Sequence, residues 1–175
     1  VLNLIRNKAR QKSFYQNQHI ATAPFDVYPK PTLNHDRAYP FIWKSAEGGY
    51  DGKGVKVIRQ ASDLNDLPQV ECIYEDRIDF DLELAVIVAR NFDGEMKTYP
   101  VVEMEFHPEA NQVEYVICPA RINMDLSDRA RALALQVSEA VEHVGLLAVE
   151  LFLTKSGELL VNEVAPRPHN SGHYS

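Results

Sequence analysis

Cysteine is scarce in this chain: Cys72 and Cys118 are the only two among 175 residues. They lie far apart and form neither a CxxC pair nor a metal-ligand spacing. That excludes a disulfide framework and suits idle thiols in a reducing cytosol, which is the expected location. Basic residues are outnumbered, with 18 Lys and Arg against 25 Asp and Glu and a net charge of -7. Such a balance argues against a nucleic-acid or anionic-membrane partner, since both want a basic surface. Long hydrophobic runs are missing too. The longest, Val144 to Leu153, is interrupted by Gly145 and Glu150 and is far too short to span a bilayer. No signal peptide, internal repeat or low-complexity segment is visible. The chain opens on Val1 and stops soon after its densest motif, so the expectation is a piece of a longer protein.

What is present suits one globular unit, with 45% of residues hydrophobic. Residues 3–18 predict a helix, with Leu4, Ile5, Ala9 and Lys12 roughly along one side. Prolines 24, 29, 31 and 40 then mark an extended connection. Residues 40–44 and 55–59 read as strands on either side of a glycine-rich loop. Further strands are expected over 70–74, 82–89, 96–102 and 114–118. The spacing predicts a helix over 127–144 with Ser127 as N-cap and Gly145 in the left-handed position past its end. Strands over 147–154 and 159–164 flank a Lys-Ser-Gly turn. The expected class is α+β, dominated by antiparallel hairpins.

Three constellations carry chemistry. Glu150 interrupts LLAVELFL, and Glu163 ends LLVNE. A two- or four-residue loop centred on Ser156-Gly157 sets them opposite each other on one face; a three- or five-residue loop turns Glu163 away. Facing carboxylates repel, and a divalent cation between them, Mg²⁺ by preference, removes the conflict. Two unrelated glutamates at a sheet edge are the plain alternative. Gly48-Gly49-Tyr50-Asp51-Gly52-Lys53-Gly54 lets backbone amides approach an anion closely and move as a lid, and Lys44 just upstream can reach a phosphate. It is neither a Walker A loop nor a GxGxxG fingerprint, and an ordinary turn is the alternative. Last, Arg167 offers a planar anion fork, and His169, Asn170 and Ser171 add donors on a loop stiffened by Pro166 and Pro168; a loop that simply ties off the sheet is the alternative. His169 and His173 do not form a zinc pair, because Gly172 and Pro168 oppose a helix presenting both.

GGYDGKG, ELAVIVAR and VELFLTKSGELLVNEVAPRPHNSGH, in that order, resemble the ATP-grasp carboxylases, and most closely the 5-(carboxyamino)imidazole ribonucleotide synthases. The likeness runs over nearly the whole chain, from about Gln11-Lys12 and Ala23-Pro24. It implies an ATP-grasp fold in which two α+β subdomains with mainly antiparallel sheets clamp ATP. A small lid subdomain would span about 26–76 and a larger one about 77–175, while the family's N-terminal Rossmann-like and C-terminal domains would be absent. The implied reaction uses ATP and bicarbonate to form carboxyphosphate, then carboxylates 5-aminoimidazole ribonucleotide. The implied cofactors are ATP and Mg²⁺, and members are often homodimers. Residue by residue, Lys8, Lys44, Gly48, Gly49, Gly52 and Asn162 resemble nucleotide contacts. Glu75, Asp76, Arg77 and Ile78 resemble the hinge that meets adenine, and Glu83 the acceptor of ribose hydroxyls. Glu150 and Glu163 resemble the magnesium ligands, and Tyr50, Asp51 and Lys53 residues near the ribonucleotide. Arg167, His169 and Asn170 resemble the carboxyphosphate pocket. Glu47 and Asp76-Arg77 depart from a commoner threonine and Glu-Phe. The rival readings are a formate-dependent glycinamide ribonucleotide transformylase and a nucleotide-binding fragment without turnover.

Overall fold

The computed structural model describes residues 2–48, 54–106 and 113–173. The chain begins with helices α1 (Leu2–Ile5) and α2 (Lys8–Asn17), followed by strands β1 (Phe25–Tyr28), β2 (Phe41–Ser45), β3 (Val55–Ile58) and β4 (Cys72–Asp76). Next come β5 (Phe80–Arg90), β6 (Met96–Thr98), β7 (Val102–Phe106) and β8 (Val113–Ile117). Helix α3 (Met124–Val141) and the hairpin β9 (Gly145–Thr154) and β10 (Leu159–Ala165) complete it. The first four strands make one sheet in the order β1-β4-β2-β3. The rest make a second in the order β10-β9-β5-β7-β8, with β6 on β5. Among the described residues every strand pair is antiparallel, as the α+β expectation has it.

Period-two alternation orients the second sheet. Leu84, Val86 and Val88 of β5 and Leu147, Val149, Leu151 and Leu153 of β9 point into one core. Helix α3 covers that face with Ala130, Ala134, Val137 and Val141. The alanines let its backbone come close to the sheet. Its N-cap is Asn123, whose Oδ1 accepts from Leu126 N at 2.9 Å, rather than Ser127. The left-handed residue at its end is Glu142, at φ +54°, rather than Gly145. Propensity over Ser127 onwards hid a first turn that the Asn side chain initiates.

Two other expectations give way to local chemistry. The helix over 3–18 is two, because Asn7 leaves helical geometry and caps α2 by accepting from Arg10 N at 2.9 Å. The Asn7 amide also donates to Glu47 at 3.2 Å and Glu71 at 3.0 Å, fastening α2 to the first sheet. From there Ala9 packs on Ile73 and Ala46, while Tyr15 enters the second core, so α2 touches both sheets. The strand over 96–102 is likewise two, interrupted at Tyr99-Pro100, where proline has no N–H for the ladder. Among the described residues no helix is long and apolar enough to cross a membrane.

The β9–β10 hairpin departs from its expected loop. Thr154 N donates to Glu158 O and Gly157 N to Thr154 O, each at 2.9 Å, so the loop is the three residues Lys155, Ser156 and Gly157. Gly157 sits at φ +83°, as a three-residue loop of this type requires. That register, with Leu159 opposite Leu153 and Val161 opposite Leu151, would turn Glu163 into the core. A β-bulge at Asn162 inserts one residue and sets Glu163 opposite Glu150 after all. The facing pair therefore exists for a different reason from the one the loop length suggested.

Gly157 has open space where a Cβ would stand, so substitution there tests backbone conformation alone. Gly157→Ala is expected to lower stability by about 1–2 kcal/mol in urea unfolding, the cost of a left-handed non-glycine residue. A change of only a few tenths would mean that the hairpin does not need that turn.

Candidate active site

The two sheets enclose a cleft of about 1550 Å³. The segment 77–79, which joins β4 to β5, forms its back edge. Phe80 and Phe152 stack there at 4.6 Å and, with Ile42, give this end an apolar wall suited to a flat ring. Nothing in the strand patterns of the sequence singled these rings out, since their pairing is between separate strands.

The bulge makes Asn162 and Glu163 consecutive residues on the cleft side, whereas the flanking Val161 and Val164 remain in the core. Glu150 faces them from β9. The two carboxylates do not go uncompensated: Lys8 Nζ stands 3.7 Å from Glu163, and His169 Nε2 stands 3.1 Å from Glu150. The His169 tautomer follows from its other nitrogen, which accepts from Ser171 N at 3.3 Å, so the neutral ring presents an Nε2 proton to Glu150. Ser171 is fully buried, and a Cβ on neighbouring Gly172 would come within 2.7 Å of Ile87 Cδ1. The terminal loop is thus pressed against β5, which holds His169 over the carboxylates. Asn170 lines the cleft from the same turn. Arg167 is exposed at its rim and donates to Pro168 O at 3.0 Å.

Lys44 arrives from β2. Its Nζ lies 2.5 Å from Glu75 Oε2 and donates to Asn162 Oδ1 at 3.1 Å, crossing from the first sheet to the second. Glu75 is only 2% exposed. Burial alone would raise its pKa, but Lys44 and Lys12 outweigh it and hold the carboxyl below its ordinary range. Glu75 therefore presents backbone, not carboxylate, to the back of the cleft. The Asp76 carboxylate is taken up by Arg37, and Arg77 and Ile78 line the edge. Glu83 faces the cleft two residues before Ala85, the partner of Glu150, and so on the same face of β5. Its pKa is pushed up to about 7, chiefly by burial and then by Glu150, against the opposing pull of Lys44. Gly48 opens the glycine loop at φ +81°. Gly49, Tyr50, Asp51, Gly52 and Lys53 lie outside the described residues.

Among the described residues no three acidic, histidine or cysteine side chains converge as a ready-made metal cage. Two opposed carboxylates with an amide oxygen alongside are instead half a shell of hard oxygen donors. That donor set fits Mg²⁺, which takes one or two carboxylates and completes its octahedron with phosphate and water. The cations Lys8 and Lys44 on the opposite wall supply the complement for a polyanion.

The ATP-grasp domain family matches this chain over residues 13–175. The chain belongs to the ATP-grasp family. An N5-carboxyaminoimidazole ribonucleotide synthase of Bacillus subtilis is 38% identical over 100% of this chain and 48% of its own length. The crystal structure of the N5-carboxyaminoimidazole ribonucleotide synthetase of Thermotoga maritima is 41% identical, with a TM-score of 0.84, over 99% of this chain and 45% of the other. That of an N5-carboxyaminoimidazole synthase from Aspergillus clavatus, in complex with ADP and 5-aminoimidazole ribonucleotide, is 28% identical, with a TM-score of 0.87, over 98% and 46%. This ATP-grasp chain thus spans about half the length of the relatives it matches.

Glu83 gives the ATP-grasp cleft a pH signature. Folded Glu83 titrates near 7 against 4.5 for the free group, so the folded state holds this proton more tightly than the unfolded chain. Its contribution is most favourable below pH 4.5 and is lost as pH rises through 7. Glu83→Gln is expected to be more stable than the parent by about 2 kcal/mol at pH 7.5, with the gap closing towards pH 5. Urea unfolding at several pH values reads this out; a gap independent of pH contradicts it.

Proposed function

We propose that this chain is the ATP-grasp portion of a 5-(carboxyamino)imidazole ribonucleotide synthase, a carboxylating ligase of purine biosynthesis acting in the cytoplasm. The observation that carries the reading is the Glu150/Glu163 pair at the bulge, set across the cleft from Lys8 and Lys44. Its likeness to relatives bearing that activity supports the choice of substrates.

In this reading adenine lies at the apolar end, against the backbone of Glu75, Asp76, Arg77 and Ile78, and Glu83 accepts from the ribose hydroxyls. The first sheet is the lid and the second the base. Lys8 and Lys44 bind the phosphate chain and hold it in line for transfer, where positioning and charge neutralisation supply most of the catalysis. Glu150 and Glu163 would hold Mg²⁺, with Asn162 beside them; when bound, the ion neutralises charge on the phosphates. A bicarbonate oxygen attacks the γ-phosphorus, the bond to the β,γ-bridging oxygen breaks, and ADP leaves. Arg167, His169 and Asn170 hold the resulting carboxyphosphate. The exocyclic amine of 5-aminoimidazole ribonucleotide then attacks the carboxyl carbon, the bond from that carbon to the phosphate oxygen breaks, and the proton lost from nitrogen leaves with the phosphate. Tyr50, Asp51 and Lys53 contact the ribonucleotide, and exclusion of water from the filled cleft protects carboxyphosphate from hydrolysis.

The test is ADP release by the intact protein. Turnover is expected with bicarbonate plus 5-aminoimidazole ribonucleotide and not with formate plus glycinamide ribonucleotide. Glu163→Gln should lower kcat by roughly 100-fold or more while the thermal midpoint stays near that of the parent. Activity within a few-fold of the parent would remove Glu163 from the metal site.

A further inference from the structure

Behind the cleft lies a cluster of charged side chains that the reading above does not use in full. Lys12, on the inner side of α2, is 2% exposed. Its Nζ pairs with Glu75 Oε1 and donates to Thr22 Oγ1 at 2.5 Å. Thr22 Oγ1 in turn donates to the carbonyl of Val161 at 2.6 Å. Val161 immediately precedes the bulge residue Asn162, which accepts from Lys44, and Lys44 returns to the second oxygen of Glu75. The circuit closes through α2, the segment after it, β10, β2 and β4, and so reaches both sheets.

One carboxylate between two lysines is unusual bookkeeping for a buried structural pair. A single lysine would neutralise Glu75; the second leaves the trio with one net positive charge largely out of water, which Glu163 and Glu83 feel from the cleft side and which an anion bound there would offset further. Lys44 is the member that faces the cleft, where the phosphate chain of the proposed nucleotide would lie. Burial, reinforced by Lys44, lowers the Lys12 pKa to about 8, and Glu75, with Glu163 as a lesser partner, opposes that fall.

We propose that Lys12 is a positioning residue for the phosphate site: it takes up the charge of Glu75, so that Lys44 meets the triphosphate as a net cation. Without Lys12, Glu75 and Lys44 close into a neutral pair, and the attraction for the anion is lost although every cleft-lining side chain remains. The same circuit holds the Val161 carbonyl and the Asn162 amide, and so fixes the bulge that orients Glu163. The proposal rests on the reading of the cleft as an ATP site.

The test is calorimetric titration of the intact protein with Mg-ATP, without bicarbonate or ribonucleotide, for the parent, Lys12→Met, Glu75→Gln and the double variant. Lys12→Met is expected to weaken ATP binding about tenfold or more, because the local charge falls from one to zero. The double variant again has one net charge and is expected to bind within about threefold of the parent, a rescue that a packing role for Lys12 would not give. Glu75→Gln alone keeps both cations and should bind ATP at least as tightly as the parent, which tests the idea even if Lys12→Met does not fold. Unchanged affinity in Lys12→Met, a double variant as weak as the single, or weakened binding in Glu75→Gln each overturns the charge-setting role. A parent that binds no ATP overturns instead the reading of the cleft, and this inference with it.

Discussion

Two carboxylates facing each other across an antiparallel ribbon are an arrangement that a chain folding for stability alone would avoid, and much of this structure exists to hold it. Glu150 and Glu163 repel at cross-strand distance, and each has been given a cationic or protonated neighbour, His169 on one side and Lys8 on the other. Both neighbours come from outside the hairpin. His169 is fixed by a proline-stiffened turn pressed onto β5, and Lys8 by a helix whose cap is tied to the first sheet. Neither contact is a tight ion pair of the kind that would occupy the carboxylates fully. Oxygen donors remain available towards the cleft.

The bulge at Asn162 connects that electrostatic problem to the fold. A regular ladder behind a three-residue loop would send Glu163 into the apolar core, where an unpaired carboxylate costs several kcal/mol by rough reckoning. The inserted residue avoids this and at the same time turns the Asn162 amide towards Lys44 on the opposite sheet. One irregularity therefore sets the carboxylate pair and makes the link between sheets. Helix α2 makes the second link, packing Ala9 against the first sheet and Tyr15 into the core of the second. The cleft is bounded by the two sheets, with the short segment 77–79 joining them in the chain at its back edge.

The strands were legible in the sequence because their apolar residues alternate, and β5 and β9 carry that signal over many residues. Chain connectivity set the sheet class for the same reason. Helix ends were legible less well, since Asn7 and Asn123 act through side-chain oxygens that compete with propensity. The hairpin shows where local reasoning stops. Ser156-Gly157 announces a turn, yet the loop length and the bulge depend on packing of both strands against β5 and on Lys44 from another sheet. Charged residues with distant partners were the hardest to read: Lys12 stood on the apolar side of a helix, but its partner Glu75 lies in β4 of the first sheet, far along the chain. The stacked Phe80 and Phe152 were invisible for the same reason. Glu75 read from the sequence as one of four hinge residues resembling those that meet adenine, and what the sequence did not show is that its carboxylate is buried between two lysines.

The most direct measurement is the anomalous scattering of Mn²⁺ in crystals of the intact protein grown with a non-hydrolysable ATP analogue. The account predicts a manganese peak bridging the carboxylates of Glu150 and Glu163, with phosphate oxygens completing its shell and Lys44 on the phosphate chain. Manganese bound elsewhere in the cleft, with Glu163 turned away from it, would contradict the assignment from which the chemistry is derived.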